Sequence, residues 1–140
     1  TVVSGNQWLK QGVSDALKSV ERLGVENQIG VYAGANYALS HDFATIEAEQ
    51  KQFPGGDGYL GAWNTPEPKS DSDLIAPPDG FATHTKVQSR SAVDFIVDSV
   101  KQYPGEVTIL AIGPLTQAFL PYLTVRLDDG TERPPAAPTA

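Results

Sequence analysis

Few side chains in this sequence have the chemistry of a catalytic or metal-binding site. The 140 residues include two histidines and no cysteine, so disulfides and thiolate metal sites are excluded. His41 stands next to Asp42, as the two members of a catalytic dyad could. Because adjacent side chains seldom point together, we interpret this pair as surface polar residues and assign no catalytic residue.

The acidic residues offer a second kind of chemistry, since Ca²⁺ binds carboxylate oxygens. Four aspartates lie in the Gly- and Pro-rich stretch over residues 55–80, namely Asp57, Asp71, Asp73 and Asp79. Their spacing fits no EF-hand loop, and a solvated loop is the favoured interpretation. Asp94 and Asp98 stand four residues apart in a predicted helix, where a solvated helix face is favoured.

One asparagine and three aromatic residues are candidates for ligand binding. Asn6 closes the stretch "TVVSGN", and it either caps the next helix or contacts a ligand; both interpretations stay open. Trp8 is favoured as a core or interface residue. Tyr59 and Trp63 lie in the long loop, where an aromatic platform for a sugar and a packing role are both compatible with the sequence.

The apolar pattern predicts strands and helices in alternation. Residues 1–4, 29–34 and 107–113 are apolar runs that end in Gly or polar turns, as buried strands do. Helical spacing predicts helices in "QWLKQGVSDALKSVERLG", "HDFATIEAEQKQF", "SRSAVDFIVDSVKQYPG" and "LTQAFL". Gly24 is predicted to end the first of these helices, and Ser91 to begin the third. In the third helix, one apolar face is predicted to comprise Ala92, Phe95, Ile96 and Val100.

This order predicts an α/β fold, with a small, mostly parallel sheet flanked by helices. We expect one domain over residues 1–123, containing the long loop at 55–80, and a flexible tail over 124–140. Ligands of such sheets bind at the carboxyl ends of the strands. The turns "SGN", "AGAN" and "GPLT" are therefore expected to form the binding site.

Composition limits the partners. The formal charge is −7, from 17 acidic and 10 basic residues, which argues against nucleic acid. No apolar run approaches the length of a membrane span, so we expect a soluble protein with no membrane partner. The sequence leaves a cytoplasmic or a secreted location open.

Two stretches resemble the nucleoside hydrolases, the inosine–uridine-preferring N-ribohydrolases. Residues 87–116 contain "SAVDFIVDSVKQYPGEVTILAIGPLT", with a helix, a PGE turn, an apolar strand and a GPLT turn in that family's order. Residues 1–35 contain "TVVSGN", a helix and "VYAGA", also in its order. The resemblance implies an open-sheet α/β fold and hydrolysis of the N-glycosidic bond of ribonucleosides, with a bound Ca²⁺.

The resemblance also implies roles for particular residues. Asn6 matches the family asparagine that approaches the substrate, and Ile112 matches the residue whose backbone carbonyl binds calcium. A carbonyl ligand permits any side chain. Residues 113–116 match the family's turn, but Gln117 stands where the family usually has asparagine.

The family's Asp-rich motif DxDxGxDD is missing, and so is everything beyond the GPLT helix. We therefore expect a partial or truncated member that binds calcium weakly or not at all. An interior strand of the family sheet would also be missing, which leaves strand edges unpaired and predicts a homo-oligomer. Two functions stay open: an N-ribohydrolase, or a non-catalytic binding protein that is lectin-like, nucleoside-binding or immunomodulatory. In both cases the expected ligand is a small nucleoside or sugar.

Overall fold

A computed structural model of the chain describes residues 1–38, 42–52 and 61–113. The described residues form three α-helices, α1 (Leu9–Leu23), α2 (Phe43–Gln52) and α3 (Ala92–Gln102). Two short 3₁₀ helices, Gly61–Asn64 and Asp71–Asp73, lie in the loop between α2 and α3. The predicted helix at 115–120 and the predicted tail at 124–140 lie outside the described residues.

Helix α1 ends where its sequence predicts. Gly24 follows the last helical residue with a φ of 68°, and its N–H donates to the Glu21 carbonyl at the end of the helix. This left-handed conformation favours glycine, which has no Cβ. The prediction of a helix ending at Gly24 is confirmed.

Helix α3 begins at the predicted cap. The Ser91 hydroxyl accepts the Asp94 backbone N–H at 3.1 Å, which satisfies one of the free donors of the first turn. The buried residues of this helix are Ala92, Ile96 and Val97. Val100, which was predicted to lie on the same apolar face, is 37% exposed. The buried face of the helix includes Val97 instead.

The first two predicted strands lie side by side in parallel. Val2 and Ala33 form a parallel β-bridge. The Val2 N–H donates to the Tyr32 carbonyl at 2.9 Å, and the Val2 carbonyl accepts the Gly34 N–H at 2.8 Å. The Ser4 N–H continues this pairing to the Ala35 carbonyl at 3.0 Å. The larger parallel sheet stays a prediction.

The third predicted strand departs from the expected burial. Residues 107–112 belong to no helix or strand, and backbone hydrogen bonds from 107–113 to other described residues are absent. Leu110 is 82% exposed and Ile112 is 89% exposed. An apolar run is buried only where neighbouring segments cover it, and each of residues 107–113 is exposed in the described part of the chain.

The core of the described part is small. Its buried apolar residues are Trp8, Val31, Ala62, Ala92, Ile96 and Val97. Tyr32 extends this core by stacking on Phe95 of α3, with ring centroids 3.9 Å apart. None of the helices in the described ranges is long and apolar enough to cross a membrane.

Candidate functional site

The turns that follow the two paired segments meet, as the sequence predicts for "SGN" and "AGAN". The Ser4 hydroxyl donates to the Asn36 side-chain oxygen at 3.1 Å. Parallel segments end at the same edge, so the residues after them are brought together although 32 positions separate Ser4 from Asn36. These two turns form the centre of the candidate site.

Asn6 is exposed at this edge. The structure decides against the capping interpretation, because Trp8 occupies the N-cap position of α1 and the Ser4 hydroxyl accepts the Leu9 N–H at 2.7 Å. The Asn6 side chain forms no hydrogen bond with another described residue. Its carboxamide, which can both donate and accept, is therefore available to a ligand.

Asn6 and Ile112 line the same cavity, which has a volume of about 350 Å³. Its lining includes residues 1–3 and 109–113, together with Gly12 and Ile96. The two residues that the sequence analysis assigned to substrate and to metal are thus brought together.

A second cleft also borders Asn6. It has a volume of about 900 Å³ and lies between α1 and the loop that follows the first 3₁₀ helix. Its charged residues include Asp15, Lys18 and Asp73. Asn6 therefore borders both the cavity and the larger cleft.

Trp63 of the predicted aromatic platform packs with Trp8 and Tyr37. Trp63 packs edge-on against Trp8, with ring centroids 5.1 Å apart, and lies 6.3 Å from Tyr37. Trp63 does not line the cavity that Asn6 shares with Ile112, and Tyr59 lies outside the described residues. Trp8 is only 6% exposed, and its ring N–H donates to the Thr65 carbonyl at 2.8 Å, so its assignment to the core is confirmed.

Two residues of the site, Tyr37 and Glu67, were not predicted from the sequence. The Glu67 carboxylate accepts the Asn36 amide at 2.6 Å and the Tyr37 hydroxyl at 2.8 Å. Lys69 donates to the same carboxylate at 3.0 Å. The one signal for Glu67 is its position between two prolines in "TPEPK", which indicates a fixed loop conformation and not a partner.

Hydrogen bonds around Glu67 shift the pKa values of Glu67, Tyr37 and Lys69. Hydrogen bonds from Lys69 and then from Tyr37 hold the pKa of the Glu67 carboxyl below its usual value. The same carboxylate raises the pKa of the Tyr37 hydroxyl, chiefly because it accepts a hydrogen bond from that hydroxyl. Glu67 is therefore a carboxylate, and Tyr37 a neutral phenol, at neutral pH.

The loop aspartates do not gather around a cation site. Asp79 pairs with Arg22 and with Lys18, while Asp71 pairs with Lys10 at 3.0 Å. Asp73 accepts the Ser70 N–H at 2.8 Å. Within the described ranges, no three His, Cys, Asp or Glu side chains are placed to hold a metal. Asp57 and His41 lie outside those ranges.

A calcium ion needs more oxygen ligands than the candidate site provides. Ca²⁺ takes about six to eight oxygens, several of them from carboxylates. Ile112 lines the cavity, but the described residues provide no cluster of acidic side chains there. These residues alone do not fit a calcium ion.

Comparison with known proteins decides the family. Residues 1–122 match the inosine-uridine preferring nucleoside hydrolase family. The chain belongs to this nucleoside hydrolase family. Membership confirms the resemblance drawn from the motifs "TVVSGN" and "GPLT".

Three relatives show how much of the family the chain represents. It is 32% identical over 120 residues to a probable uridine nucleosidase 1 of Oryza sativa subsp. japonica, which covers 86% of this chain and 31% of the relative. It is 38% identical to a probable uridine nucleosidase 2 of the same plant, over 86% of this chain and 30% of the relative. A probable uridine nucleosidase 2 of Arabidopsis thaliana is 30% identical over 91% of this chain and 33% of its own length. The chain thus spans about a third of the length of these relatives.

Proposed function

We propose that this nucleoside hydrolase chain binds a ribonucleoside beside Asn6 and takes part in hydrolysing its N-glycosidic bond. The observation that carries the proposal is the exposed, unengaged Asn6 carboxamide in a cavity shared with Ile112. Family membership and the relatives' description as uridine nucleosidases support it. A carboxamide suits ribose hydroxyl groups, since each hydroxyl also both donates and accepts.

The dimensions of the site support a small ligand. A volume of about 350 Å³ lies at the lower end of the ~300–1,000 Å³ typical of small-molecule sites. Asn6 contributes a polar side chain to the cavity, while Val2, Ile96 and Ile109 contribute apolar side chains. Such a cavity can orient the polar sugar and cover the flatter base.

Calcium binding would require oxygen ligands in addition to any that Ile112 contributes. If the Ile112 carbonyl contributes one oxygen to Ca²⁺, the remaining ligands must come from outside the described residues. When bound, the ion would activate a water molecule for attack on the sugar. The described residues themselves bind and orient the nucleoside.

The test is hydrolysis of uridine and inosine by the purified chain. We expect release of the free base in buffer with Ca²⁺, loss of that release with a chelator, and a decrease in the Asn6→Ala variant. A folded chain that neither binds nor hydrolyses either nucleoside, with or without Ca²⁺, would overturn the proposal.

A second candidate function is nucleoside or sugar binding without catalysis. The observation in its favour is the aromatic trio of Trp8, Tyr37 and Trp63, in which Tyr37 is 53% exposed and can stack on a base or a sugar. Saturable uridine binding without release of uracil, in the presence of Ca²⁺, would favour this function over hydrolysis. A Tyr37→Ala variant should then lose affinity.

A further inference from the structure

A continuous chain of hydrogen bonds joins the Pro-rich loop to the start of α1. Glu67 accepts the Asn36 amide N–H at 2.6 Å, and the Asn36 oxygen accepts the Ser4 hydroxyl at 3.1 Å. The Ser4 oxygen then accepts the Leu9 backbone N–H at 2.7 Å. Each group in this chain both donates and accepts, except Glu67 at one end and the Leu9 N–H at the other.

Glu67 determines which group donates and which accepts in each of these hydrogen bonds. A carboxylate only accepts hydrogen bonds, so the Asn36 amide must turn its NH₂ toward Glu67. Its oxygen must then face Ser4, which makes Ser4 the donor in that bond and leaves the Ser4 oxygen free to accept from Leu9. With its side chain 23% exposed, Glu67 is shielded enough for these charge-assisted bonds to be stronger than neutral ones.

This chain of bonds fixes the turn that carries Asn6. Ser4 and Leu9 are the two ends of the turn, and the Gly5 N–H donates to the Gln7 carbonyl within it at 3.0 Å. From outside, the Ala62 N–H donates to the Gly5 carbonyl at 2.8 Å. The backbone of the turn is thereby held while the Asn6 side chain is left exposed.

We propose that Glu67 is a positioning residue, which orients Asn36 and Ser4 and so sets the conformation of the turn that presents Asn6 to a nucleoside. The part of this inference that concerns the ligand rests on the proposed function. The part that concerns the turn does not, and it can be measured without a ligand.

The test exchanges the donor and the acceptor in the hydrogen bond between Asn36 and Glu67. In Asn36→Asp, a second carboxylate faces Glu67 and the bond between the two side chains is lost, although an oxygen for Ser4 is kept. In the double variant Asn36→Asp/Glu67→Gln, the new glutamine amide can donate to the new carboxylate, so the chain of bonds is restored. Lys69→Ala is the control, because Lys69 donates to Glu67 but is not one of the groups that link Glu67 to Leu9.

Two quantities are measured in each variant: hydrogen exchange of the Leu9 amide by NMR, and the dissociation constant of uridine by calorimetry in Ca²⁺ buffer. We expect Asn36→Asp to accelerate Leu9 exchange and to weaken uridine binding, each by about tenfold, as loss of one charge-assisted hydrogen bond would. The double variant should return both quantities to within about threefold of the wild type. Lys69→Ala should leave both nearly unchanged.

Leu9 exchange that is unaffected by Asn36→Asp, or that is not restored in the double variant, would overturn the inference. A wild-type chain that binds no uridine, with Leu9 exchange following the expected pattern, would remove the proposed function and leave the positioning role supported. If Asn36→Asp does not fold, Glu67→Ala replaces it, because it removes the acceptor without adding a charge. It should accelerate Leu9 exchange in the same direction.

Discussion

The Glu21 carboxylate is the most heavily engaged charged group in the described part of the chain. It accepts the backbone N–H groups of Thr83, His84 and Thr85 at 2.8 to 3.2 Å. These bonds, led by the one from His84, lower the pKa of Glu21 from 4.5 to about 2. A charged carboxylate thus joins the end of α1 to the loop that precedes α3.

This linkage predicts a pH-dependent stability. A carboxyl group whose pKa is lowered on folding stabilises the fold above its unfolded pKa, and the contribution is lost as the pH falls toward the folded pKa. Glu21→Gln should therefore lower the free energy of unfolding at pH 7. The difference from the wild type should decrease as the pH falls from 4.5 to about 2.

Thermal unfolding monitored by circular dichroism across that pH range measures the effect. Asp98→Asn is the control, since Asp98 forms a half-exposed ion pair with Arg90, and such pairs contribute little. A stability difference between Glu21→Gln and the wild type that does not change with pH would contradict the prediction.

Single residues of the site were predictable only where a motif marked them. Asn6 and Ile112 follow from their positions in "TVVSGN" and "AIGPLT", and the structure places both on one cavity. Glu67 was not predictable, because its bond to Asn36 spans 31 positions. No pattern in one sequence indicates which distant side chains will meet.

At the scale of elements, local signals predicted α1 and α3 because the apolar spacing and the caps lie within the segments themselves. Burial of residues 107–112 was not predictable in the same way, since it depends on which other segments lie beside them. Parallel pairing of residues 2–4 with 32–35 was predicted from alternation, and it positions the two turns of the site.

The first 3₁₀ helix is attached to the Asn6 turn by an approach that only glycine permits. Gly61 has a φ of 55°, and a Cβ at this position would lie 2.2 Å from the Gly5 carbonyl oxygen. Gly61→Ala should destabilise the fold by about 3 kcal/mol, from positive-φ strain and this clash together. Gly80→Ala, with a φ of 83° and no neighbour within 4 Å, should cost only about 1 kcal/mol.

Urea unfolding of the two variants gives both values. Equal losses of stability in Gly61→Ala and Gly80→Ala would show that the close approach to Gly5 does not contribute.

The Ser91 cap is expected to stabilise α3. Ser91→Ala removes the acceptor of the Asp94 N–H and should lower the free energy of unfolding by about 1 kcal/mol. Ser89→Ala is the matched control, because Ser89 is exposed and outside the cap. Urea unfolding should show no change in the control, and a similar loss in both variants would contradict the role of the cap.

At the scale of the whole molecule, the exposed apolar residues of 107–113 bear on assembly. Their backbone has no partner among the described residues, and Leu110 is 82% exposed. We propose that this segment pairs with a second copy of the chain, since unpaired backbone groups beside exposed apolar side chains favour such pairing. Leu110→Asp should then lower the molar mass measured by light scattering to that of a monomer.

Leu23→Asp is the matched control, since Leu23 is 74% exposed but lies at the end of α1. A wild-type chain that scatters as a monomer at every concentration would contradict the assembly.

Titration of uridine into the folded chain by calorimetry shows whether the Asn6 carboxamide contacts a nucleoside. We expect the wild type to bind uridine and Asn6→Ala to bind it about tenfold more weakly. Asn27→Ala, which changes an exposed asparagine away from the cavity, should bind as the wild type does. Equal affinities for the wild type and Asn6→Ala, or no binding by the folded wild type, would show that Asn6 does not contact the nucleoside.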